Sequence, residues 1–344
     1  MTQNEITKPS NLLDIRGALI QRGWARKPIL KFNKENIAVR WHRIKEWEHY
    51  SIIHKDYALL ITVGDIGYLT LIGVQWGDFQ KRKFYVTGNI IPLTRGNTNL
   101  PLSSEKGDTV IHGAGLGLGG LSFAFKRLPD RRVLSINYPY FKKLKGKVIL
   151  YQDPKKDTMV VATPFKHDHR CFYYNHKINM MPAKGSVEFN GKTYFFNPED
   201  SHWGLDWGKG VWPYDVTWLW GTGAGKVDGH ELWFNIGYGF GDLSTHTENM
   251  IFYDGICHKI DQVTFHIDKK HPGSPWKFTS NDGRFEMIMK PLIYNGPMKI
   301  KTGLLNIDND TMWGYYSGHV ILDDGTKIKI KNMLGHAEDI TWRW

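Results

Sequence analysis

The densest chemistry in this chain lies in Ser201-His-Trp-Gly-Leu-Asp206-Trp-Gly-Lys-Gly-Val-Trp-Pro-Tyr214, followed at once by Thr217-Trp-Leu-Trp-Gly221. Trp203, Trp207, Trp212, Trp218 and Trp220 are interleaved there with Gly204, Gly208, Gly210 and Pro213. The glycines let backbone pass close to bulky rings, and the proline fixes a turn. Trp218 and Trp220, two apart, share one face if the segment is a strand. Asp206 stands among aromatic residues, where loss of water would raise its pKa and keep it protonated. A protonated carboxyl in an apolar pocket is a general-acid arrangement. The competing reading of Asp206 is structural, a carboxylate that caps a turn by accepting backbone N–H bonds.

Around this acid, His202 or Glu248 would serve as the catalytic partner. Trp203, Trp207, Trp212, Tyr214, Trp218 and Trp220, with Asn235 and Asn249, make up the expected ligand-binding set. Trp41, Trp47, Glu48, Tyr50, Trp76 and Asp78 in the first half are candidates to cover the mouth of such a cavity. Lys209 is the discriminating neighbour. A direct, sealed ion pair between Lys209 and Asp206 would hold the acid ionised and make the segment a structural clasp. Three functional classes fit: an acid–base enzyme acting on a small, largely apolar molecule by hydration, lyase or isomerisation chemistry; a non-catalytic carrier or sensor of a lipid or isoprenoid; and a carbohydrate-active enzyme using Trp platforms beside carboxylates.

Composition narrows the setting. The 344 residues are 41% hydrophobic and 14% aromatic, with 14 Trp, enough for two packed cores and more rings than packing alone asks for. The formal net charge is +11. Its clearest run, Lys142, Lys143, Lys145 and Lys147 with Lys155 and Lys156 behind, flanks a strand-like stretch and reads as a solvated edge, so nucleic acid is not the expected partner. The charge does favour an anionic ligand or peripheral contact with an anionic membrane. Two cysteines build no disulfide framework, and residues 1–10 lack the apolar core of a signal peptide. No apolar run nears the length of a membrane helix. A cytoplasmic protein with reduced thiols is the expectation. The oligomeric state is not legible.

Other motifs carry little. Gly115-x-Gly117-x-x-Gly120 has the form of a dinucleotide fingerprint, but the residues after it alternate like a strand, where a true fingerprint opens a helix. His167-Asp-His169, with His176 nearby, has no established metal-ligand spacing, and no G-x-S-x-G elbow is present. No cofactor and no metal are expected.

The elements that must position these residues are mostly strands. Residues 11–27 form the best helical candidate, with Leu12, Ile15 and Leu19 on one stripe, and residues 41–54 a second amphipathic piece. After them, residues 58–63, 68–74, 83–87, 133–136, 148–151 and 159–162 read as strands. Asn190-Gly191, Asp228-Gly229, Asp254-Gly255, Asp282-Gly283 and Asp324-Gly325 supply the φ > 0 pairs of hairpin turns. Consecutive hairpins predict an antiparallel sheet that curls into a barrel. The expected architecture is mainly β, two antiparallel barrels with a short N-terminal helix, divided near residue 170 into domains 1–170 and 171–344. The second would carry the Trp-rich segment and its cavity.

Asp206-Trp-Gly-Lys-Gly-Val-Trp-Pro-Tyr214 resembles the hallmark of a widespread bacterial family of uncharacterised proteins, in which the Lys209 position is usually Arg. Asn235-Ile-Gly-Tyr-Gly-Phe-Gly-Asp242, Thr247-Glu-Asn249, Tyr253-Asp-Gly255 and the closing region with Gly335 are similar to it as well. More distantly, His202-Trp-Gly-x-Asp-Trp-Gly followed by Trp218-x-Trp220 resembles the double-lipocalin superfamily of carotenoid 1,2-hydratases, lipocalin-like cyclases and AttH-like proteins. This sequence has Leu-Asp-Trp-Gly where the hydratases have His-Asn-Trp-Gly. The resemblance implies two lipocalin-like, calycin-like barrels side by side, a hydrophobic cavity and, in the enzymes, acid-assisted chemistry on an isoprenoid or polyene.

Overall fold

The computed structural model describes residues 3–113, 120–301 and 306–343. Alternating apolar and polar residues and Gly-bearing turns produce an almost entirely antiparallel β protein. In the first unit, a six-stranded sheet runs in the order Lys192–Phe196, Ala183–Phe189, Leu144–Tyr151, Arg131–Tyr138, Ser122–Leu128, Thr109–His112. It packs on a nine-stranded sheet in which Asp168–Ile178, Leu205–Val211, Ile44–His54, Tyr57–Asp65, Leu69–Asp78 and Lys83–Pro92 lie side by side. Between the two sheets lies a core that includes Tyr50, Trp76, Phe123, Phe125, Tyr174 and Trp207.

In the second unit a single nine-stranded sheet curls around its own core of Phe234, Trp276, Phe278, Phe285, Met289 and Tyr316. Its longest strands are Phe285–Lys301, Asn306–Ile321 and Lys327–Arg343, with Asp215–Val227 along the last of them. The chain passes from the first unit's sheet to the second's between Val211 and Asp215. Residues 171–211 therefore pair with strands from the first half of the sequence, and the Trp-rich segment straddles the crossing.

The expected N-terminal helix is absent. Residues 11–27 form turns and the short strands Ser10–Asn11 and Gly23–Ala25. Asp14 accepts the N–H groups of Arg16 and Ala18 at 2.8 and 2.9 Å, and Gly17 sits at φ +82°. This tight turn buries Leu12, Leu13 and Leu19 while leaving Ile15 95% exposed, so the apolar spacing marks two arms of a turn and not one helical face. Residues 41–54 form a single 3₁₀ turn, Trp41–Arg43, and then the Ile44–His54 strand.

The turn chemistry holds where both central residues take positive φ: Asn190 and Gly191 (54° and 77°), Asp228 and Gly229 (52° and 89°), Asp254 and Gly255 (48° and 80°). At Asp282-Gly283 and Asp324-Gly325 only the glycine does, and the loops are longer. The fingerprint glycines Gly115 and Gly117 lie outside the described residues. Among the described residues no helix is long and apolar enough to cross a membrane.

Candidate functional site

The two-residue period of a strand explains the Trp-rich segment position by position. In Leu205–Val211, Trp207 and Lys209 face the first unit's core, while Asp206, Gly208 and Gly210 face the second unit. The neighbouring strands are split the same way. Glu46, Glu48 and Tyr50 of Ile44–His54 point inward, and Lys45, Trp47, His49 and Ser51 point across. On Asp168–Ile178, Tyr174 and His176 point inward and Tyr173, Asn175 and Lys177 across. Three rows result on the outward face: Lys177–Asp206–His49, Asn175–Gly208–Trp47 and Tyr173–Gly210–Lys45. The glycines are vacant of side chain because rings occupy their places. A Cβ at Gly208 would lie 2.0 Å from Trp47, and one at Gly210 2.4 Å from Trp212 Nε1.

The opposing face comes from the second unit's sheet. Trp218, Trp220 and Thr222 on Asp215–Val227 stand across from Ile340, Glu338 and His336 on Lys327–Arg343, with Thr311 and Trp313 on the next strand. Between the faces lies a cavity of ≈ 470 Å³. It is thus built between the two units, not inside the second barrel as the sequence suggested. Its aromatic wall is continuous: Trp47 stacks on Tyr173 at 5.8 Å, Trp212 meets Trp47 at 5.2 Å and Phe240 at 4.9 Å, and Trp218 meets Phe240 at 5.6 Å and Trp342 at 5.8 Å.

Asp206, Glu248 and Glu338, together with the Lys177 ammonium, carry the chemistry argued for this cavity; Asp65 and Lys45 also line it. Lys177 Nζ lies 3.2 Å from Asp206 Oδ2, 4.0 Å from Glu248 Oε2 and 4.0 Å above the Trp220 ring. Asp206 Oδ1 also accepts from Trp47 Nε1 at 2.9 Å and Asn175 Nδ2 at 2.7 Å. Burial pushes the Asp206 carboxyl up, but Lys177, these two donors and His49 outweigh it and hold the group below the ordinary aspartate value. Glu338 is treated differently. Its Oε1 accepts from Trp218 Nε1 at 2.6 Å, and His336 stands 4.0 Å away. Burial, helped by the charges of Asp206 and Glu248 and only partly opposed by Trp218 and Lys177, pushes it up to about 7. Burial also raises Glu248, against Lys177 and Asn235. His49 is lowered to about 4 and His336 to about 3 by burial, so both imidazoles are neutral near pH 7.

Asp206, Trp203, Trp212, Trp218, Trp220 and Glu248 are brought together on the cavity. Four other candidates stand elsewhere. His202 is stacked on Trp203 at 6.2 Å and does not reach the cavity. Trp207 packs edge-on against Tyr174 in the first core. Tyr214 is 47% exposed on the crossing. Asn249 is buried behind the wall, accepting from Gly237 N–H at 2.7 Å. Asn235 is a supporting residue: its Oδ1 accepts from Trp220 Nε1 at 2.7 Å and its Nδ2 donates to Glu248 Oε2 at 3.1 Å. Of the first-half candidates, Trp47 lines the cavity, whereas Glu48, Tyr50 and Trp76 lie in the first core and Trp41 and Asp78 outside.

Lys209 makes no pair with Asp206. It is fully buried on the opposite face, 3.0 Å from Glu46 Oε1 and 5.3 Å from the Trp207 ring. Sequence reasoning missed Lys177, His49, His336 and Glu338. Each sits in an ordinary strand pattern with no local peculiarity, and the available signal was weak: an i, i+2 alternation of His336 and Glu338 on a strand that also carries Trp342.

The chain matches, over residues 3–344, the family described as Domain of unknown function (DUF2804), and it belongs to that family. No curated protein matches it in sequence. Among solved structures it is similar to an AttH-like protein from Nitrosomonas europaea, at 12% identity and a TM-score of 0.51 over 87% of this chain and 92% of that one. It is also similar to CghA, at 9% identity and 0.51 over 87% and 88%, and to CghA with Sch210972, at 9% and 0.52 over 86% and 88%. Likeness at this identity establishes the fold: two lipocalin-like β units side by side.

Proposed function

We propose that this member of the DUF2804 family acts on a small, largely apolar molecule by general acid–base chemistry, with Glu338 as the proton donor and Asp206 as its ionised counterpart. The observation that carries this reading is the pair of carboxyl groups on one aromatic-walled cavity, whose surroundings push their pKa values in opposite directions, Asp206 down and Glu338 up to about 7. Asp206 has an ammonium and two N–H donors; Glu338 has one indole N–H. Environments that push two carboxyl pKa values apart assign the acid and the base. A hydration, lyase or isomerisation step requires one group that gives a proton and another that takes one up or steadies the charge that develops. Asp206 as the acid loses support, since its partners favour the charged form, and Glu248 remains a second partner through Lys177. The aromatic wall suits a flat or polyene-like body, and the solved structure of CghA with Sch210972 supports a small molecule as the ligand of this fold.

The test is to extract small molecules from freshly purified wild type and Glu338→Gln and identify them by mass spectrometry, then to incubate each protein with the molecule recovered. Catalysis predicts a molecule that persists on Glu338→Gln and is converted by wild type, with gain or loss of one water or a rearranged bond. The same unchanged molecule on both proteins, with no conversion by either, is the outcome for a carrier and overturns the catalytic reading.

A further inference from the structure

Lys81, Arg82, Lys83, Lys142, Lys143 and Lys192 are all exposed, and they come from three different turns of the first unit. The turns follow Leu69–Asp78, Arg131–Tyr138 and Ala183–Phe189. The fold draws them to one end. Lys83 and Lys142 lie over the same Tyr85 ring, at 5.1 and 5.3 Å, and Asn190 N–H donates to Lys142 O at 2.8 Å. Lys192 lies 5.0 Å over Tyr194, whose ring packs on Trp76, and Trp76 and Tyr85 both meet Phe189. The carboxylates near these turns are Asp78, bound to Lys81 at 3.0 Å, Asp56, which accepts from Gln80, and Glu188, paired with Lys145 at 3.2 Å. Tyr140, 71% exposed, stands in the same turn as Lys142 and Lys143.

We propose that this end of the first unit docks on an anionic phospholipid surface. Among the described residues the cations of this patch outnumber its carboxylates, which makes it the complement of a negatively charged leaflet, and each basic side chain near such a surface adds to attraction. Lysines with a tyrosine at the tip suit the headgroup region, where long apolar stems and an amphipathic ring are both accommodated. The make-up argues against nucleic acid. Five of the six cations are lysines, which lack the planar fork that grips phosphates in a fixed geometry, and lysines already cover the Tyr85 and Tyr194 ring faces that bases would stack on.

The patch is also tied to the cavity. Phe79 and Phe84, which bracket the Lys81-Arg82-Lys83 turn, pack on Trp313 at 5.8 and 5.5 Å, and Trp313 forms part of the cavity wall. Docking there brings the site within one aromatic layer of a reservoir of apolar molecules. The proposal stands on the patch and does not depend on the acid–base reading.

Sedimentation with vesicles tests it, using phosphatidylcholine alone and phosphatidylcholine mixed with phosphatidylglycerol. The full chain is expected to bind the mixed vesicles only and to be released by high salt. Lys142→Gln, Lys143→Gln and Lys192→Gln are each expected to lower partitioning about fivefold, with cumulative loss when combined. Lys327→Gln, Lys329→Gln and Lys331→Gln, which remove the same charge from exposed positions of the second unit, are expected to leave it unchanged. No binding to the mixed vesicles overturns the proposal. So does equal loss in the two sets of variants, or binding of duplex RNA or DNA that the first set abolishes while vesicle binding is unaffected.

Discussion

Gly208 lies directly beneath the indole of Trp47: a Cβ added at Gly208 would sit 2.0 Å from the Trp47 ring, whose Nε1 donates to Asp206. One missing side chain thus seats the ring that holds the carboxylate. Gly208→Ala is expected to push the indole out, cost about 1–3 kcal/mol by overpacking and remove one of the donors that keep Asp206 ionised. Urea unfolding with tryptophan fluorescence checks it; a variant as stable as wild type, with unchanged emission, would show that the ring has room to spare.

The Lys209–Glu46 pair, buried on the far side of the same strand, is expected to behave as a structural clasp. Lys209→Met should cost about 3 kcal/mol, because it strands Glu46 in the interior with, among the described residues, the half-exposed Lys34, 3.4 Å away, to answer it. Glu46→Leu combined with Lys209→Met should recover most of that loss. Failure of the double variant to recover would mean that the pair does more than neutralise itself.

Glu338 makes a prediction about pH. Its pKa is raised from the ordinary glutamate value to about 7 by burial, so the folded protein binds its proton more tightly than the unfolded chain. The associated stability is fully present below the ordinary value, near 4.5, and is lost as pH rises through about 7. Glu338→Gln should therefore flatten this part of the stability profile and stabilise the protein above pH 7, by an amount on the order of 1–3 kcal/mol. Thermal melts of the two proteins across pH 5 to about 8.5 measure it; parallel profiles would remove Glu338 from the list of titrating groups.

Catalysis should follow the same group. With Glu338 as the acid, kcat/KM is expected to fall about tenfold per pH unit above about 7, as the donor loses its proton. The neutral His49 and His336, lowered to about 4 and about 3, should contribute no inflection between pH 5 and 7. A rate that rises through pH 7 would assign the essential group as a base.

At Gly191 no atom of the described residues beyond its two chain neighbours lies within 4 Å of an added Cβ, and φ is +77°. Any loss on substitution comes from backbone conformation alone. Gly191→Val is expected to cost about 1 kcal/mol or slightly more, since a β-branched residue tolerates this region poorly. Unchanged thermal unfolding would show that the hairpin tip adapts without strain.

Strand character, hairpin tips and the concentration of rings around Asp206 were legible in the sequence because each is a local property. A two-residue period, an Asn-Gly pair and a Gly beside a Trp act on the residues next to them. Asp206, Glu248, Trp203, Trp212, Trp218 and Trp220 do meet on one cavity. The helix expected over residues 11–27 failed for a local reason of another kind, since Asp14 and Gly17 close a turn within the same apolar spacing. Which side of each strand became core was settled only when the sheets packed, and a one-residue shift reverses it. Trp207 and Lys209 went inward while Asp206 and Gly208 went outward on the same strand. The charge state of the site was decided later still. Lys177, Asp206 and Glu338 come from three strands in two sheets, and the pKa of each depends on which of the others it meets and on the water their packing excludes.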